Sequence, residues 1–521
     1  MARLKEYNGH YCESEYEYAF IGFLEAEGWK YTSGNKLSRV TKRDVLIEDD
    51  FKKFIADGNL DLTEDEVTQI YDTVRLVGAE SDFATLHKVY NWLVDGIQFT
   101  PKDGIARMIP LINFEKDGVK NIFRVVNQFT VEYTNNGQKE NRRPDVILFV
   151  NGMPLCIMEL KNPADANATI YDAWEQINIR YWRDIPHLLH YCPLACISDG
   201  VKTRLGTVRT PYEHFYAWRR VNDGDAVSTL PFAETETMIK GVYSPERFLE
   251  IFRDYIYFQD SIYDSDEVEI VCRYPQFFAA RLLKQSIVNS VVTRSGKGGT
   301  YFGATGCGKT YTMAFLARQL ALRCTDIPEI GSPTIILIVD RDELQKQGSK
   351  LFTKSKEFLN LGEVSVVKNR TQLRQELGAR QSGGFYICTI QKFCDREDDK
   401  IGLINDRQNI ICFSDEAHRT QLEHSKKIQF SKDADENMKA MVSKPYAKVL
   451  KEAFPHATFV GFTGTPIAET YQTFGDEIDR YTMDQAVADG LTVSIKYHPR
   501  IAKVLLDNKK VKEIENYYKN V

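Results

Sequence analysis

The stretch TYFGATGCGKTYTMAFLARQLAL (Thr300–Leu322) places the octet GATGCGKT between a short apolar strand and a helix. Glycines allow backbone N–H groups to turn inward around phosphate oxygens, and the N-terminus of a following helix adds partial positive charge. We expect Lys309 to reach the β- and γ-phosphates of a nucleotide and Thr310 to bind Mg²⁺. The nucleotide-binding residues predicted in this loop are Gly303, Thr305, Gly306, Gly308, Lys309 and Thr310.

Short apolar runs around this loop alternate with helical segments. The runs cover residues 300–302, 334–340, 363–368, 385–390, 409–415 and 457–463. Strands that are apolar on both faces are typical of a parallel sheet that is covered by helices on both sides. The sequence therefore predicts an α/β domain in the C-terminal half of the chain.

Two acidic residues, Asp415 and Glu416, follow the apolar run NIICFS. The end of a parallel strand lies at the carboxyl edge of its sheet, where Asp415 can reach the Mg²⁺ of a bound nucleotide. Glu416 is predicted to be catalytic and to polarise the water that attacks the γ-phosphate. Together with the phosphate loop, this pair predicts a site for ATP and Mg²⁺.

The first half of the chain carries another cluster, formed by Asp145, Glu159 and Lys161 on consecutive predicted strands. Two neighbouring carboxylates can hold Mg²⁺, and a nearby lysine can stabilise the anion or the nucleophile. Glu159 and Lys161 are two residues apart and so lie on the same face of a strand. The cluster predicts phosphodiester hydrolysis, with all three residues catalytic and the two carboxylates as metal ligands.

The turn between these strands decides whether Asp145 reaches the same face. A regular two-residue loop would pair Asp145 with Met158 and place Glu159 on the other side of the sheet. A three-residue loop, Asn151–Met153 with glycine in a left-handed conformation, pairs Asp145 with Glu159. We predict the three-residue loop.

The composition is that of a globular protein with several domains. The chain has 521 residues, 43% of them hydrophobic, and a net charge of -6, which argues against a non-specific polyanion binder with a basic overall field and leaves a local basic groove open. It lacks an apolar run of membrane-spanning length and the apolar segment of a signal peptide, so we predict a cytoplasmic protein without membrane contact. Ten scattered cysteines without zinc spacing are predicted to be reduced thiols.

The C-terminal motifs resemble those of superfamily 2 helicases and translocases, which implies a RecA-like P-loop domain. Besides GATGCGKT and DEAH (415–418), the matching segments in chain order are RYPQ (273–276), VDRDELQKQ (339–347), TIQKF (389–393) and GFTGTP (461–466). The resemblance implies that Gln276 reads adenine. It further implies coupling roles for His418, Thr463 and Thr465, and DNA contacts for Arg341, Gln345 and Thr389.

The N-terminal motif resembles the PD-(D/E)xK nuclease core in the restriction subunits of type I restriction-modification enzymes. The matching run is RRPDVILFVNGMPLCIMELKNP (142–163). The resemblance implies supporting roles for Gln176, Tyr181 and an early acid, Glu17, for which Glu13 and Glu15 are alternatives. In that family a Gln and a Tyr lie four residues apart on a helix, whereas here Gln176 and Tyr181 are five apart and Arg180 occupies the expected position.

The two resemblances together identify the chain as a type I restriction (R) subunit. They imply ATP-driven translocation of double-stranded DNA and Mg²⁺-dependent cleavage, with partner subunits for modification (M) and specificity (S). The predicted divisions are a nuclease domain with a mixed sheet (1–235), a helical connector (236–265), a first RecA-like domain (266–495) and the start of a second motor domain (496–521). Only 55 residues follow Pro466, so we expect the second motor domain to be missing and the chain alone not to translocate.

Two alternatives remain open from the sequence. The chain could be an ATP-dependent nuclease-helicase of another defence or repair system that lacks M and S partners. It could also be a catalytically idle DNA-binding or assembly subunit whose phosphate loop serves as a nucleotide-dependent scaffold.

Overall fold

The structure is a computed structural model. It describes residues 13–78, 80–162, 169–228, 233–259, 267–304, 306–340, 350–393, 400–419, 427–432, 438–443 and 446–494, together with 510, 512 and 516.

The first sheet has six strands in the order β1-β4-β7-β8-β9-β10. Its strands are β1 (Lys30–Ser33), β4 (Phe123–Asn127), β7 (Val146–Val150), β8 (Met153–Leu160), β9 (Leu194–Ser198) and β10 (Thr203–Thr207). β1 pairs with β4 and β8 with β9 in parallel, while the other pairs are antiparallel. The mixed sheet predicted for the N-terminal α/β unit is therefore confirmed.

The turn between β7 and β8 corrects the loop prediction. Val150 pairs directly with Met153, so the loop has the two residues Asn151 (φ 51°) and Gly152 (φ 77°) instead of the predicted three. Two successive positive φ values are typical of the tight turns that match strand twist. A Cβ on Gly152 would lie 2.2 Å from the carbonyl oxygen of Ile47, so the turn is also closely packed.

A β-bulge restores the register that the two-residue turn alone would lose. The pairing shifts between Leu148 and Phe149, which leaves Leu155 as an extra residue in β8. Val146 consequently faces Met158, and the preceding residue, Asp145, lies across from Glu159. The predicted pairing of the two carboxylates is right although the predicted loop is wrong.

The second sheet has seven strands in the order β15-β16-β14-β17-β20-β13-β21, and all neighbours are parallel. Its strands are β13 (Lys297–Gly303), β14 (Thr334–Val339), β15 (Val364–Val366), β16 (Phe385–Thr389), β17 (Ile410–Asp415), β20 (Thr458–Thr463) and β21 (Glu477–Tyr481). The strands β14, β16 and β20 are buried at every position. The predicted parallel α/β architecture is confirmed.

Helices surround both sheets. The longer helices are Glu13–Ala26, Glu48–Gly58, Glu64–Arg75, Asp82–Asp95, Glu234–Val242, Pro245–Asp254, Tyr274–Thr293, Lys309–Leu322 and Arg370–Ala379. Shorter helices are Ile170–Glu175, Trp182–Asp184, Pro186–Leu189, Lys356–Leu359, Tyr446–Ala453, Ala468–Phe474 and Met483–Ala488. Between Ile170–Glu175 and Trp182–Asp184 the backbone forms a π-helix, Gln176–Tyr181.

Four antiparallel hairpins complete the described strands. They pair β2 (Ile97–Phe99) with β3 (Arg107–Ile109), β5 (Val131–Asn135) with β6 (Gln138–Arg142), β11 (Ile256–Gln259) with β12 (Val268–Val271) and β18 (Lys427–Lys432) with β19 (Met438–Ser443). The expected connector includes helix Pro245–Asp254, where Ser244 occupies the N-cap position without a side-chain capping bond.

Two chain-wide predictions can be compared with the described residues. The eight cysteines among them are buried free thiols, as expected for reduced cysteines. No helix in this part of the chain is long and apolar enough to span a bilayer.

Candidate active sites

The first candidate site lies where β7 begins and β8 ends. The Glu159 side chain is fully buried, and its Oε2 lies 3.9 Å from Nζ of Lys161, as expected for two residues on one strand face. Asp145 faces Glu159 across the hairpin, and its Oδ2 accepts a hydrogen bond from the backbone N–H of Leu160 at 2.9 Å. The bulged hairpin therefore brings together the three residues predicted to be catalytic.

Burial and like charge both act on Glu159. Burial raises the pKa of its carboxyl well above the ordinary value, and the neighbouring charge of Asp145 raises it further, while Lys161 acts in the opposite direction. Glu159 Oε2 is buried without a hydrogen-bond partner. Lys161, whose Nζ lies 3.9 Å from Glu159 Oε2, therefore does not balance the two negative charges of Asp145 and Glu159.

This electrostatic deficit fits a divalent cation. Mg²⁺ prefers carboxylate and water oxygens and is commonly bound through one or two carboxylates. In the described part of the chain, His, Cys, Asp and Glu form no cluster of three or more that could hold a metal. Asp145 and Glu159 would therefore supply two oxygen ligands and leave the remaining positions to water and phosphate.

The π-helix explains the unusual spacing of Gln176 and Tyr181. An α-helix places residues four apart on one face, whereas a π-turn closes over five residues. Tyr181 consequently points the same way as Gln176, with its hydroxyl 2.8 Å from Nε2 of that residue. The Tyr181 hydroxyl donates to Glu159 Oε1 at 2.6 Å, and Lys161 Nζ donates to Gln176 Oε1 at 2.9 Å.

Arg180, which has the spacing usual in the resembling family, lies outside this cluster. Its guanidinium pairs with Glu175 at 2.8 Å on an exposed face. Gln176 and Tyr181 therefore converge on Glu159 and Lys161, and the spacing by itself was a misleading guide to their positions.

Glu17 is buried rather than on a solvated helix face, with 4% of its surface exposed. Its two carboxylate oxygens accept hydrogen bonds from Asn127 Nδ2 and Gln128 Nε2, both at 2.6 Å. The backbone N–H of Gln128 in turn donates to the carbonyl oxygen of Asp145 at 2.9 Å. Glu15, one of the two alternatives, is exposed.

Sequence reasoning missed Asn127 and Gln128 as the residues that link Glu17 to the carboxylate pair. Gln128 has a left-handed backbone (φ 52°) at the point where β4 ends. The signal available in the sequence was the polar pair Asn127-Gln128, which interrupts an otherwise apolar run at the end of β4.

The second candidate site is the phosphate loop, which connects β13 to helix Lys309–Leu322. Gly308 caps this helix with φ 82°, a conformation that favours glycine. Lys309 Nζ lies 3.2 Å from the carbonyl oxygen of Gly303 and 3.7 Å from Glu416 Oε1. Thr310 lies in the first turn of the helix, directly after Lys309.

The acidic pair faces this lysine from the end of β17. Burial raises the pKa of Asp415 and the neighbouring charge of Glu416 adds to the effect, whereas Lys309 opposes it. Glu416 has a left-handed backbone (φ 48°), which is uncommon and costly outside glycine. Its N–H donates to Asp415 Oδ1 at 3.0 Å, so the turn holds both carboxylates at the sheet edge.

Gln276 lies beside the loop in the first turn of helix Tyr274–Thr293. Its Oε1 accepts from the backbone N–H of Arg273 at 2.9 Å, and its Nε2 lies 3.4 Å from the carbonyl oxygens of Cys307 and Gly308. The side chain borders a cavity of about 420 Å³ that Tyr311 and Tyr216 also line. Recognition of the base by Gln276 stays a prediction.

The residues predicted to couple hydrolysis to movement are in direct contact. His418 Nδ1 lies 2.8 Å from Thr463 Oγ1 and 3.4 Å from Glu416 Oε2. The backbone N–H of Thr465 donates to Thr463 Oγ1 at 3.1 Å. The acidic strand end and the end of β20 are therefore joined through one histidine.

Four further predicted residues are not placed at a site by the structure. Thr305, Arg341 and Gln345 lie outside the described residues. Thr389 is buried at the end of β16, with 3% exposed, and its hydroxyl lies 3.2 Å from Lys392 Nζ. Contact of DNA with Arg341, Gln345 and Thr389 stays a prediction, as does nucleotide binding by Thr305.

Comparison with known proteins finds two family models along the chain. The model for the type I restriction enzyme R protein N terminus matches residues 11–214, and the model for the SWI2/SNF2 ATPase matches residues 275–521. The first match contains the carboxylate pair and the π-helix, and the second contains the phosphate loop and the acidic strand end.

Curated relatives match over nearly the whole chain. The type I restriction enzyme HindI endonuclease subunit of Haemophilus influenzae is 31% identical over 510 residues, which cover 93% of this chain and 46% of that protein. The candidate type I restriction enzyme MjaIXP endonuclease subunit of Methanocaldococcus jannaschii is 30% identical, with 94% and 46% covered. A type I restriction enzyme endonuclease subunit of Staphylococcus aureus strain COL is 26% identical, with 73% and 37% covered.

The chain spans about half the length of the first two relatives. The order of the two family models along the chain agrees with the order of the two candidate sites. On this evidence, the chain belongs to the family of restriction (R) subunits of type I restriction enzymes.

Proposed function

We propose that this chain carries both chemical activities of an R subunit: Mg²⁺-dependent cleavage of DNA at Asp145, Glu159 and Lys161, and use of ATP at the phosphate loop. The observation that carries the proposal is the bulged β7–β8 hairpin, which places Asp145 beside Glu159 and Lys161. Glu159 Oε2 is buried without a hydrogen-bond partner, which is costly, and a bound cation would offset that cost.

At the nuclease site, Asp145 and Glu159 would hold Mg²⁺. A bound Mg²⁺ lowers the pKa of a coordinated water and stabilises negative charge on a scissile phosphate. Lys161 adds a second positive charge for the phosphate, and Gln176 holds its ammonium in place at 2.9 Å. Tyr181 donates to Glu159 Oε1 and so fixes the carboxylate with its other oxygen toward Lys161.

At the phosphate loop, the residues of this chain would bind and orient the triphosphate. Lys309 and the N-terminal amides of its helix bind phosphate oxygens. Thr310 and Asp415 would hold Mg²⁺, and Glu416 would orient the attacking water. Glu416 Oε1 lies 3.7 Å from Lys309 Nζ, so the carboxylate and the lysine would act on the same γ-phosphate.

The wider role of the complete subunit is part of the same proposal. ATP use would drive translocation on double-stranded DNA, with His418 and Thr463 transmitting the state of the γ-phosphate to β20. M and S subunits would supply modification and sequence recognition. The proposed divisions are the nuclease domain (1–235), connector (236–265), first RecA-like domain (266–495) and start of a second motor domain (496–521).

Two substitutions test the assignment of the sites. We expect Asp145→Asn to abolish nicking of supercoiled plasmid in Mg²⁺ while binding of a fluorescent ATP analogue is unchanged. Lys309→Ala should abolish ATP binding and leave Mn²⁺ binding at the nuclease site intact. Asp57→Asn, on an exposed helix face, is the matched control, and equal nicking by the Asp145 and Asp57 variants would refute the nuclease site.

A further inference from the structure

Two neighbouring arginines that follow the first sheet pair with aspartates of the second domain, one in β21 and one directly after helix Met483–Ala488. Arg219 Nε donates to Asp489 Oδ1 at 2.6 Å, and Arg220 Nη1 donates to Asp479 Oδ1 at 2.9 Å. The Arg219 and Asp489 side chains are 14% and 9% exposed, and those of the other pair 7% and 9%. Removal of one partner of such a buried pair leaves an uncompensated charge, so each pair is strongly coupled.

Asp489 connects Arg219 to the phosphate loop through further hydrogen bonds. Its second oxygen, Oδ2, accepts hydrogen bonds from the hydroxyls of Tyr481 at 2.6 Å and Tyr274 at 2.9 Å. The carbonyl oxygen of Tyr481 accepts from the backbone N–H of Ala304 at 2.8 Å. Ala304 is the second residue of GATGCGKT, so one carboxylate orients both the loop and the segment that carries Gln276.

The same network extends back into the nuclease sheet. Arg219 Nη2 lies 3.4 Å from Glu234 Oε1, and Glu234 Oε2 accepts from the backbone N–H of Thr203 at 3.0 Å. Thr203 begins β10 and pairs with Ser198 of β9. The carbonyl oxygen of Ser198 accepts from the backbone N–H of Lys161 at 2.8 Å. The network thus joins the strand end at the carboxylate pair to the phosphate loop.

We propose that Arg219 and Asp489 are positioning residues that link the nuclease sheet to the phosphate loop, so that nucleotide affinity depends on a residue of the nuclease domain. The inference rests on the proposed binding of ATP at Lys309. Coupling between two sites is reciprocal, so nucleotide binding would equally change the free energy of the Arg219–Asp489 contact. A contiguous network becomes evidence of coupling only through a measured interaction between its members.

A double-mutant cycle on nucleotide affinity measures this interaction. The probe is a fluorescent ATP analogue with Mg²⁺, titrated into the chain at a temperature where every variant is folded by circular dichroism. We expect Arg219→Ala and Asp489→Asn each to weaken binding about tenfold. The double variant should also be about tenfold weaker, because either substitution alone already breaks the contact.

Two further variants separate positioning from general destabilisation. Arg219→Lys keeps the charge and should recover most of the lost affinity. Arg180→Ala removes an exposed arginine of the same domain, and should leave affinity unchanged. Tyr481→Phe keeps the packing of the ring but removes the hydroxyl from Asp489, and should weaken binding severalfold without loss of fold.

The outcomes distinguish this inference from the proposed function. Wild-type affinity in both single variants, or a double variant about a hundredfold weaker, would overturn the positioning role. If Lys309→Ala binds the analogue as tightly as wild type, the phosphate-loop assignment itself fails. Loss of binding in Lys309→Ala, together with wild-type affinity in Arg219→Ala and Asp489→Asn, would reject the inference alone.

Discussion

Replacement of Tyr181 by phenylalanine tests whether the π-helix Gln176–Tyr181 is part of the proposed nuclease site. The substitution keeps a buried aromatic ring and removes one hydroxyl. That hydroxyl donates to Glu159 Oε1 at 2.6 Å and lies 2.8 Å from Gln176 Nε2. The amide oxygen of Gln176 in turn accepts a hydrogen bond from Lys161 Nζ. The variant therefore disturbs two side chains that we propose to be catalytic, Glu159 and Lys161, without opening a cavity.

The expected size of the effect follows from the bond that is lost. A hydrogen bond to a charged group contributes about 1.5–3 kcal/mol. If that energy orients Glu159 in the transition state, the cleavage rate falls by roughly ten- to a hundredfold, since about 1.4 kcal/mol corresponds to a factor of ten. Affinity for Mn²⁺ should fall as well, because one carboxylate ligand is less well fixed.

The assay is nicking of supercoiled plasmid under single-turnover conditions, with Mn²⁺ affinity measured by titration calorimetry on the same preparations. Arg180→Ala is the matched control, since Arg180 occupies the position that an ordinary helical turn would select but pairs with Glu175 at the surface. A variant at Arg180 that lost cleavage while Tyr181→Phe cut normally would show that the π-helix has no part in the site.

Two further predictions concern stability. Burial and the nearby charges of Arg43 and His190 lower the pKa of His187 from 6.5 to about 4, so the unfolded chain binds a proton in this range that the folded chain does not. The free energy of unfolding should fall by about 2.5 kcal/mol from pH 6.5 to 4 on this account, and His187→Gln should remove that share of the slope in urea titrations. Gly152→Ala should lower the free energy of unfolding by at least about 2 kcal/mol, because a Cβ there would lie 2.2 Å from the Ile47 carbonyl oxygen; an unchanged urea midpoint would contradict the packing of this turn.

The residue types of both sites could be predicted from the sequence, but the geometry of the first could not. GATGCGKT and Asp415-Glu416 are local patterns, since each group of residues is contiguous and follows a strand. Asp145 and Glu159 are joined only through a hairpin, and their pairing depends on whether the turn has two or three residues. In the structure, the predicted pairing results from a two-residue turn combined with a bulge at Leu155. No local sequence signal distinguishes this arrangement from a three-residue loop.

The helix beside the nuclease site shows a second limit of sequence reasoning. Side-chain positions on a helix are normally inferred from a period of 3.6 residues. A π-turn changes that period over Gln176–Tyr181 and moves Tyr181 onto the face of Gln176. From the sequence, either Arg180 or Tyr181 could be the helix residue that contacts the carboxylate pair. The structure shows that Tyr181 contacts the buried Glu159 and that Arg180 pairs with Glu175.

The two sites have the same arrangement of charges, built from the same residue types. Each combines two carboxylates with one lysine, at 3.9 Å in the nuclease cluster and 3.7 Å at the phosphate loop. In each, burial raises the pKa of one carboxyl and the charge of the second carboxylate raises it further, so the lysine alone does not offset the cost of placing two carboxylates together. A divalent cation would supply the missing charge at both places. The sites differ in how the second carboxylate is brought in: a left-handed backbone at Glu416 does so along the chain, whereas a bulged hairpin does so across it.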